Sequence, residues 1–206
     1  MINIIKDVEP VYETEKYDVV LVGTSTHCML SGSFQYKIGV KYPQVAEANN
    51  KTGYGDLRKL GKRVTVYDTK PIISLLYMCT YPTRKPTVDY EALEKCLKTA
   101  NNEFKGKKVM TCILGATRFD GKGDREKCLE ILERCTPDLD VDVYDYNMLS
   151  RIEEYLKIRE FFYKKIINTK RKSEERKELQ RLEKEMLYKT YILKKHDNNG
   201  ETTEQE

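Results

Sequence analysis

The chain has 206 residues, of which 39% are hydrophobic and 34% charged, enough for one globular domain and an appendage. No run of about 18 apolar residues occurs, and the opening segment 1–7 lacks the basic, apolar and small steps of a secretory signal. A membrane span and export are therefore not expected, and a cytoplasmic location is.

In chain order, Tyr17-Asp-Val-Val-Leu-Val22 is a β-branched run closing on Gly23, the pattern of a strand covered on both faces. Residues 34–42 have helical character and stop before Pro43. Arg63–Tyr67 alternates like a strand, and Pro71–Met78 reads as another buried one. From Asp89 to Phe104, Tyr90, Leu93, Leu97 and Ala100 fall three and four apart, predicting an amphipathic helix ended by Gly106. Lys108–Leu114 is a strand, Asp124–Cys135 a helix and Val141–Tyr144 a last short strand. Strands alternating with helices predict a three-layer α/β/α sandwich around a mixed, mostly parallel sheet over residues 1–147.

The charge balance shifts beyond this domain. Residues 1–150 carry 22 basic and 21 acidic side chains, residues 151–196 carry 15 and 8, and residues 197–206 carry four acids and no base. A near-neutral domain thus precedes a basic helical arm over 148–196 and a polar tail over 197–206 that is expected to be disordered. In the arm Leu179, Leu182, Met186 and Leu193 resume an apolar spacing, with 179, 186 and 193 seven apart, which is about two heptads of coiled-coil pattern. Three readings stay open: a solvated charged helix, a seam for an oligomer or protein partner, and nucleic-acid contact. Glu174, Glu175, Glu178, Glu183 and Glu185 interrupt the basic face and disfavour the last.

The six cysteines contain no C-x-x-C pair and read as reduced, mostly buried thiols, and with only His27 and His196 available no metal centre is expected. No cofactor is expected either. Chemistry in an α/β sheet belongs at the carboxyl ends of strands, where two loops qualify. The first runs from Gly23 to Phe34, with small residues Ser31, Gly32 and Ser33 that let a backbone approach a phosphate. The second runs from Leu114 to Asp124, with three glycines and the carboxylates Asp120 and Asp124. It departs from the mononucleotide signature G-x-x-x-x-G-K-S/T, because five residues separate Gly115 from Gly121 and Gly123 follows Lys122. His27 is a candidate donor in the first loop, and Asp120 a candidate general base in the second.

The order of these segments resembles a macro domain, the ADP-ribose-binding family, in its compact form. The likeness is carried by Asp7-Val8, Asp18-Val-Val-Leu-Val22, the Ser25–Phe34 loop, Lys41-Tyr-Pro43, Gly55-Asp56-Leu-Arg-Lys-Leu60-Gly61, Asp89-Tyr90-Glu-Ala-Leu93 and Ile113-Leu114-Gly115-Ala116-Thr117. It covers roughly residues 2–146 and none of the arm. The resemblance implies that Asp7, with Val8, takes the adenine. It places one phosphate in Ser31–Phe34 and the other, with the distal ribose, in Gly115–Thr117, with Phe119 facing the ribose or adenine. The family's usual loop asparagine corresponds to Ser25, as in the branch resembling terminal ADP-ribose protein glycohydrolases. That branch's aspartate has Asp120 as its counterpart, but its lysine has none in Leu76–Thr80. The histidine of the related ADP-ribose 1''-phosphate phosphatases falls on Val22. The short Lys/Asn/Tyr-rich chain is also similar to versions carried by large bacteriophages. The expected function is binding of ADP-ribose or a related nucleotide, with its hydrolysis through Asp120, backed by His27. The competing expectation is an inactive macro-fold scaffold whose arm carries the interaction.

Overall fold

The computed structural model describes residues 2–6, 8–30, 33–81, 86–116 and 121–145, together with 178, 180 and 181. Expectations placed on Asp7, Ser31, Gly32, Thr117, Phe119 and Asp120, and those on the arm and tail apart from these three positions, lie outside the described residues. The chain divides into two units, Met1–Tyr146 and Asn147–Glu206. The sheet and its helices belong to the first.

Six strands form one sheet: β1 (Ile2–Lys6), β2 (Val19–Ser25), β3 (Arg63–Val66), β4 (Ile72–Cys79), β5 (Lys108–Cys112) and β6 (Asp140–Asp145), in the order β1-β6-β5-β2-β4-β3. All neighbours are parallel except β3, which runs antiparallel to β4 at one edge. Four helices cover the faces: α1 (Ser33–Lys41), α2 (Pro43–Asn50), α3 (Tyr90–Glu103) and α4 (Arg125–Cys135). The period of two in the strands sorts the core into two layers. Val19, Leu21, Leu76, Met78, Val109, Val141 and Val143 pack against Leu93, Leu97 and Ala100 of α3 and Leu129 and Leu132 of α4. Val20, Val22, Ile73, Leu75, Met110 and Tyr144 turn the other way, toward Ile38 of α1 and Val45 of α2. The predicted mixed, mostly parallel α/β/α sandwich is the observed one.

Three details differ from the sequence reading. β2 does not close on Gly23 but runs on to Ser25, because Gly23 pairs with Leu76 and its carbonyl accepts Gln35 Nε2 at 2.6 Å. Pro43 starts a second helix where only a stop was expected; its fixed φ suits the first helical turn, where its missing N–H costs nothing. β1 was not foreseen as a strand, and it pairs in parallel with β6, residue 2 against residue 141. Among the described residues no helix is long and apolar enough to cross a membrane.

Asp89 and Asp124 cap α3 and α4, their carboxylates accepting from the N–H groups of Ala92 and Lys127. The two helices are latched by Glu94, which accepts from Arg134 at 2.9 and 3.3 Å and from Lys98 at 2.6 Å. Arg134 first, then Lys98, hold its carboxyl at about 2, against an ordinary 4.5. A carboxylate whose folded pKa is depressed stabilises fully above its unfolded value, and that contribution is lost as pH falls through the folded one. Glu94→Gln should therefore flatten the acid side of the stability curve. Between pH values of roughly 5 and 2 its thermal midpoint, followed by circular dichroism, is expected to fall less steeply than the parent's. Parallel curves would assign the acid sensitivity elsewhere.

Candidate functional site

The five parallel strands end together, at Lys6, Asp145, Cys112, Ser25 and Cys79. At the middle of that edge β2 and β5 are neighbours, and their loops leave for opposite faces, β2 toward α1 and β5 toward α4. Adjacent loops that depart to opposite faces mark the position at which open α/β sheets take ligands.

The loop after β2 is held from beneath by a buried polar network. Thr26 N donates to Cys79 O and Gly55 N donates to Thr26 O, both at 3.0 Å, fastening the loop between β4 and the turn before residue 59. Cys28 takes a left-handed backbone, φ 58°, and its carbonyl accepts from Asn49 Nδ2 at 2.7 Å. Asn49 Oδ1 in turn accepts from Tyr77 Oη at 2.7 Å. Burial pushes the Tyr77 phenol up to about 12, so it stays a donor. Lys59, only 8% exposed, completes the network: its Nζ donates to Cys28 Sγ at 3.1 Å and Thr52 Oγ1 at 3.0 Å, and lies 4.5 Å from the centroid of the Tyr77 ring. Above it, His27 stands edge-on to Tyr54 and Tyr81, with centroids 5.0 and 5.1 Å away, and Nδ1 at 3.2 Å from Thr26 Oγ1.

The loop after β5 folds back on itself, Gly123 N donating to Gly115 O at 2.7 Å, and the N–H groups of Thr87 and Val88 donate to Gly121 O. Its glycines answer to Val88. A Cβ would lie 2.9 Å from Val88 Cγ2 at Gly115, within 2.8 Å of the Val88 backbone at Gly121, and 2.4 Å from Val88 Cγ1 at Gly123. Small residues at these three positions make room for Val88, and of the three only Gly115 lies in the segment expected to hold a phosphate. Asp124, one of the loop's two carboxylates, is spent as the cap of α4.

No family model matches the sequence, and no curated protein matches it. Solved structures do match. The macrodomain of Thermus aquaticus DarG is 14% identical and superposes with a TM-score of 0.52 over 71% of this chain and 98% of its own. The macrodomain of Mycobacterium tuberculosis DarG is 17% identical, with a TM-score of 0.52 over 69% of this chain and 97% of its own. Thermosipho africanus DarTG, solved in complex with ADP-ribose, is 12% identical, with a TM-score of 0.54 over 70% of this chain and 42% of that one. The fold is that of a macrodomain.

Within this fold the expected site residues take varied places. Val8, 38% exposed, follows β1 at the carboxyl edge, and the neighbouring Glu9 ties that segment to α1 through Lys37 at 2.6 Å. Ser25 is the last residue of β2 and fully buried; its Oγ accepts from His27 N at 3.3 Å, so its hydroxyl shapes the turn. Ser33 opens α1, and Phe34 is half-buried against the α1–α2 layer. Gly115 is left-handed, with φ 76°, and Ala116 packs on the α3–α4 layer. Arg125, paired with Asp145 at 2.8 Å, fixes the start of α4 to the end of β6. Among the described residues no group of His, Cys, Asp and Glu is placed to hold a metal ion. Sequence reasoning missed Asn49, Thr52, Lys59 and Tyr77; the one available signal was Lys59's position inside the Gly55–Gly61 motif.

Proposed function

We propose that the crevice between β2 and β5 binds ADP-ribose or a closely related nucleotide, and that Asp120 drives hydrolysis at its distal ribose. The observation that carries the reading is topological. The segment after β1, the loop after β2 and the loop after β5 converge on one sheet edge at a point where connections diverge. The same fold in a protein captured with ADP-ribose supports the choice of nucleotide. The loop before α1 supplies the setting in which free backbone N–H groups and a helix dipole favour a phosphate. Asp120 is preferred as the base because Asp124 is already committed to capping α4. His27 ranks second, its ring set between two tyrosines at the mouth of the first loop.

Calorimetric titration with ADP-ribose is the direct test. The parent protein is expected to bind, Gly32→Glu to abolish binding through bulk and charge, and Asp7→Ala to weaken it by about 1–3 kcal/mol as a charged hydrogen bond is lost. Asp120→Ala should keep affinity and lose turnover on ADP-ribosylated protein or ADP-ribose 1''-phosphate, because a general base contributes mainly in the transition state. No heat with the parent overturns the binding assignment; binding without turnover by the parent removes the catalytic half alone.

A further inference from the structure

We propose that Cys28 and Lys59 form a peroxide-responsive modification site, in which oxidation of the thiol is captured by the lysine nitrogen as a reversible sulfur–nitrogen link. The site goes beyond the nucleotide assignment and does not depend on it.

Four observations carry it. Cys28 Sγ lies 3.1 Å from Lys59 Nζ and 3.2 Å from Thr52 Oγ1, so the sulfur and nitrogen are already in contact. Cys28 is half-buried, open to a small oxidant, whereas Cys79, Cys96, Cys128 and Cys135 are buried. Lys59 forms no ion pair with a carboxylate among the described residues; Thr52 and the Tyr77 ring hold its nitrogen against the sulfur. The Cys28 backbone takes a left-handed conformation with its carbonyl held by Asn49, which fixes the point from which the thiol reaches Lys59.

The chemistry balances with one molecule of hydrogen peroxide. Sulfur attacks a peroxide oxygen; an S–O bond forms, the O–O bond breaks, and one water leaves, giving the sulfenic acid. The Lys59 nitrogen then attacks sulfur; the S–N bond forms, the S–O bond breaks, and the hydroxyl departs with a nitrogen-bound proton as a second water. Counted as thiol plus amine, the pair loses two hydrogens, sulfur is oxidised and the peroxide oxygens are reduced. An external thiol reverses the link by attacking sulfur and expelling the amine, and a second thiol frees Cys28 from the mixed disulfide.

The test treats the full chain with stoichiometric hydrogen peroxide, blocks remaining thiols, and maps the digest by mass spectrometry. The expected product is the Cys28 peptide joined to the Lys59 peptide, lighter than their sum by two hydrogens and restored by dithiothreitol. It should be absent in Cys28→Ser and Lys59→Arg. Cys112, the other half-buried thiol, is the internal comparison. Sulfinic acid at Cys28 with Lys59 unmodified, a linked pair carrying an extra oxygen, or oxidation of Cys112 as fast as Cys28 would each overturn the proposal. These outcomes are read on the parent protein, so they stand even where a variant fails to fold.

Discussion

Asn49→Leu is expected to destabilise the domain by about 2–4 kcal/mol, because one buried amide serves two partners, the half-buried Cys28 carbonyl and the buried Tyr77 hydroxyl. Asn49 is fully buried; its Nδ2 satisfies the Cys28 carbonyl and its Oδ1 accepts the Tyr77 hydroxyl, both at 2.7 Å. Leucine copies the branching but is larger, so no cavity forms and the cost combines overpacking with two polar groups left without their partner. Tyr77 recovers a little, since Thr52 Oγ1 stands 3.2 Å from its oxygen. Asn49→Asp still accepts from Tyr77 but donates nothing to the Cys28 carbonyl, and it adds a buried charge beside that oxygen. Urea unfolding should place both variants below the parent. A leucine variant within about 0.5 kcal/mol of the parent would show that the network carries no stability.

The second large effect concerns the loop after β5. Gly121→Ala should cost about 2–4 kcal/mol, combining a strained backbone with a clash that cannot relax. Its φ is 123°, and the added carbon would meet Val88 backbone atoms at 2.8 Å. Gly123→Ala meets Val88 differently, at the side-chain Cγ1, 2.4 Å away. Val88→Ala should therefore rescue much of the Gly123→Ala loss and little of the Gly121→Ala loss. A double-mutant cycle on thermal stability reads this directly. Equal rescue of both would mean the loop moves as a body away from Val88.

What was legible in the sequence was whatever local pattern enforces. The continuous apolar run of β2, the spacing of Leu93, Leu97 and Ala100 in α3, and the capping aspartates Asp89 and Asp124 each record a demand made within a few residues. The burial of Lys59 is different in kind. In Asp56-Leu-Arg-Lys a lysine reads as solvated, and only Thr52, Tyr77 and Cys28, brought together by the sheet, enclose it. Val88 likewise explains the glycines of a loop some thirty residues later, a contact that no spacing rule anticipates. β1 is short and faces solvent at three of its five positions, so its membership of the sheet depends on a partner at the far end of the domain. The ordered set of loosely matched segments was still enough to indicate the fold, because their sequence follows the path of the chain through the sheet.

That distant pairing has a consequence for how the domain is made. Of the six strands β1 leaves the ribosome first, yet among the described residues its only strand neighbour is β6, so residues 2–6 have no ladder to join until residues 141–145 have emerged. The other four strands can assemble meanwhile around β2, which pairs with both β4 and β5. Long-range parallel pairing of this kind is slow to form. The segment that follows β1 is therefore late to take its place at the carboxyl edge of the sheet. A nascent chain stalled before residue 140 would carry both central strands and still lack the β1–β6 end of the sheet.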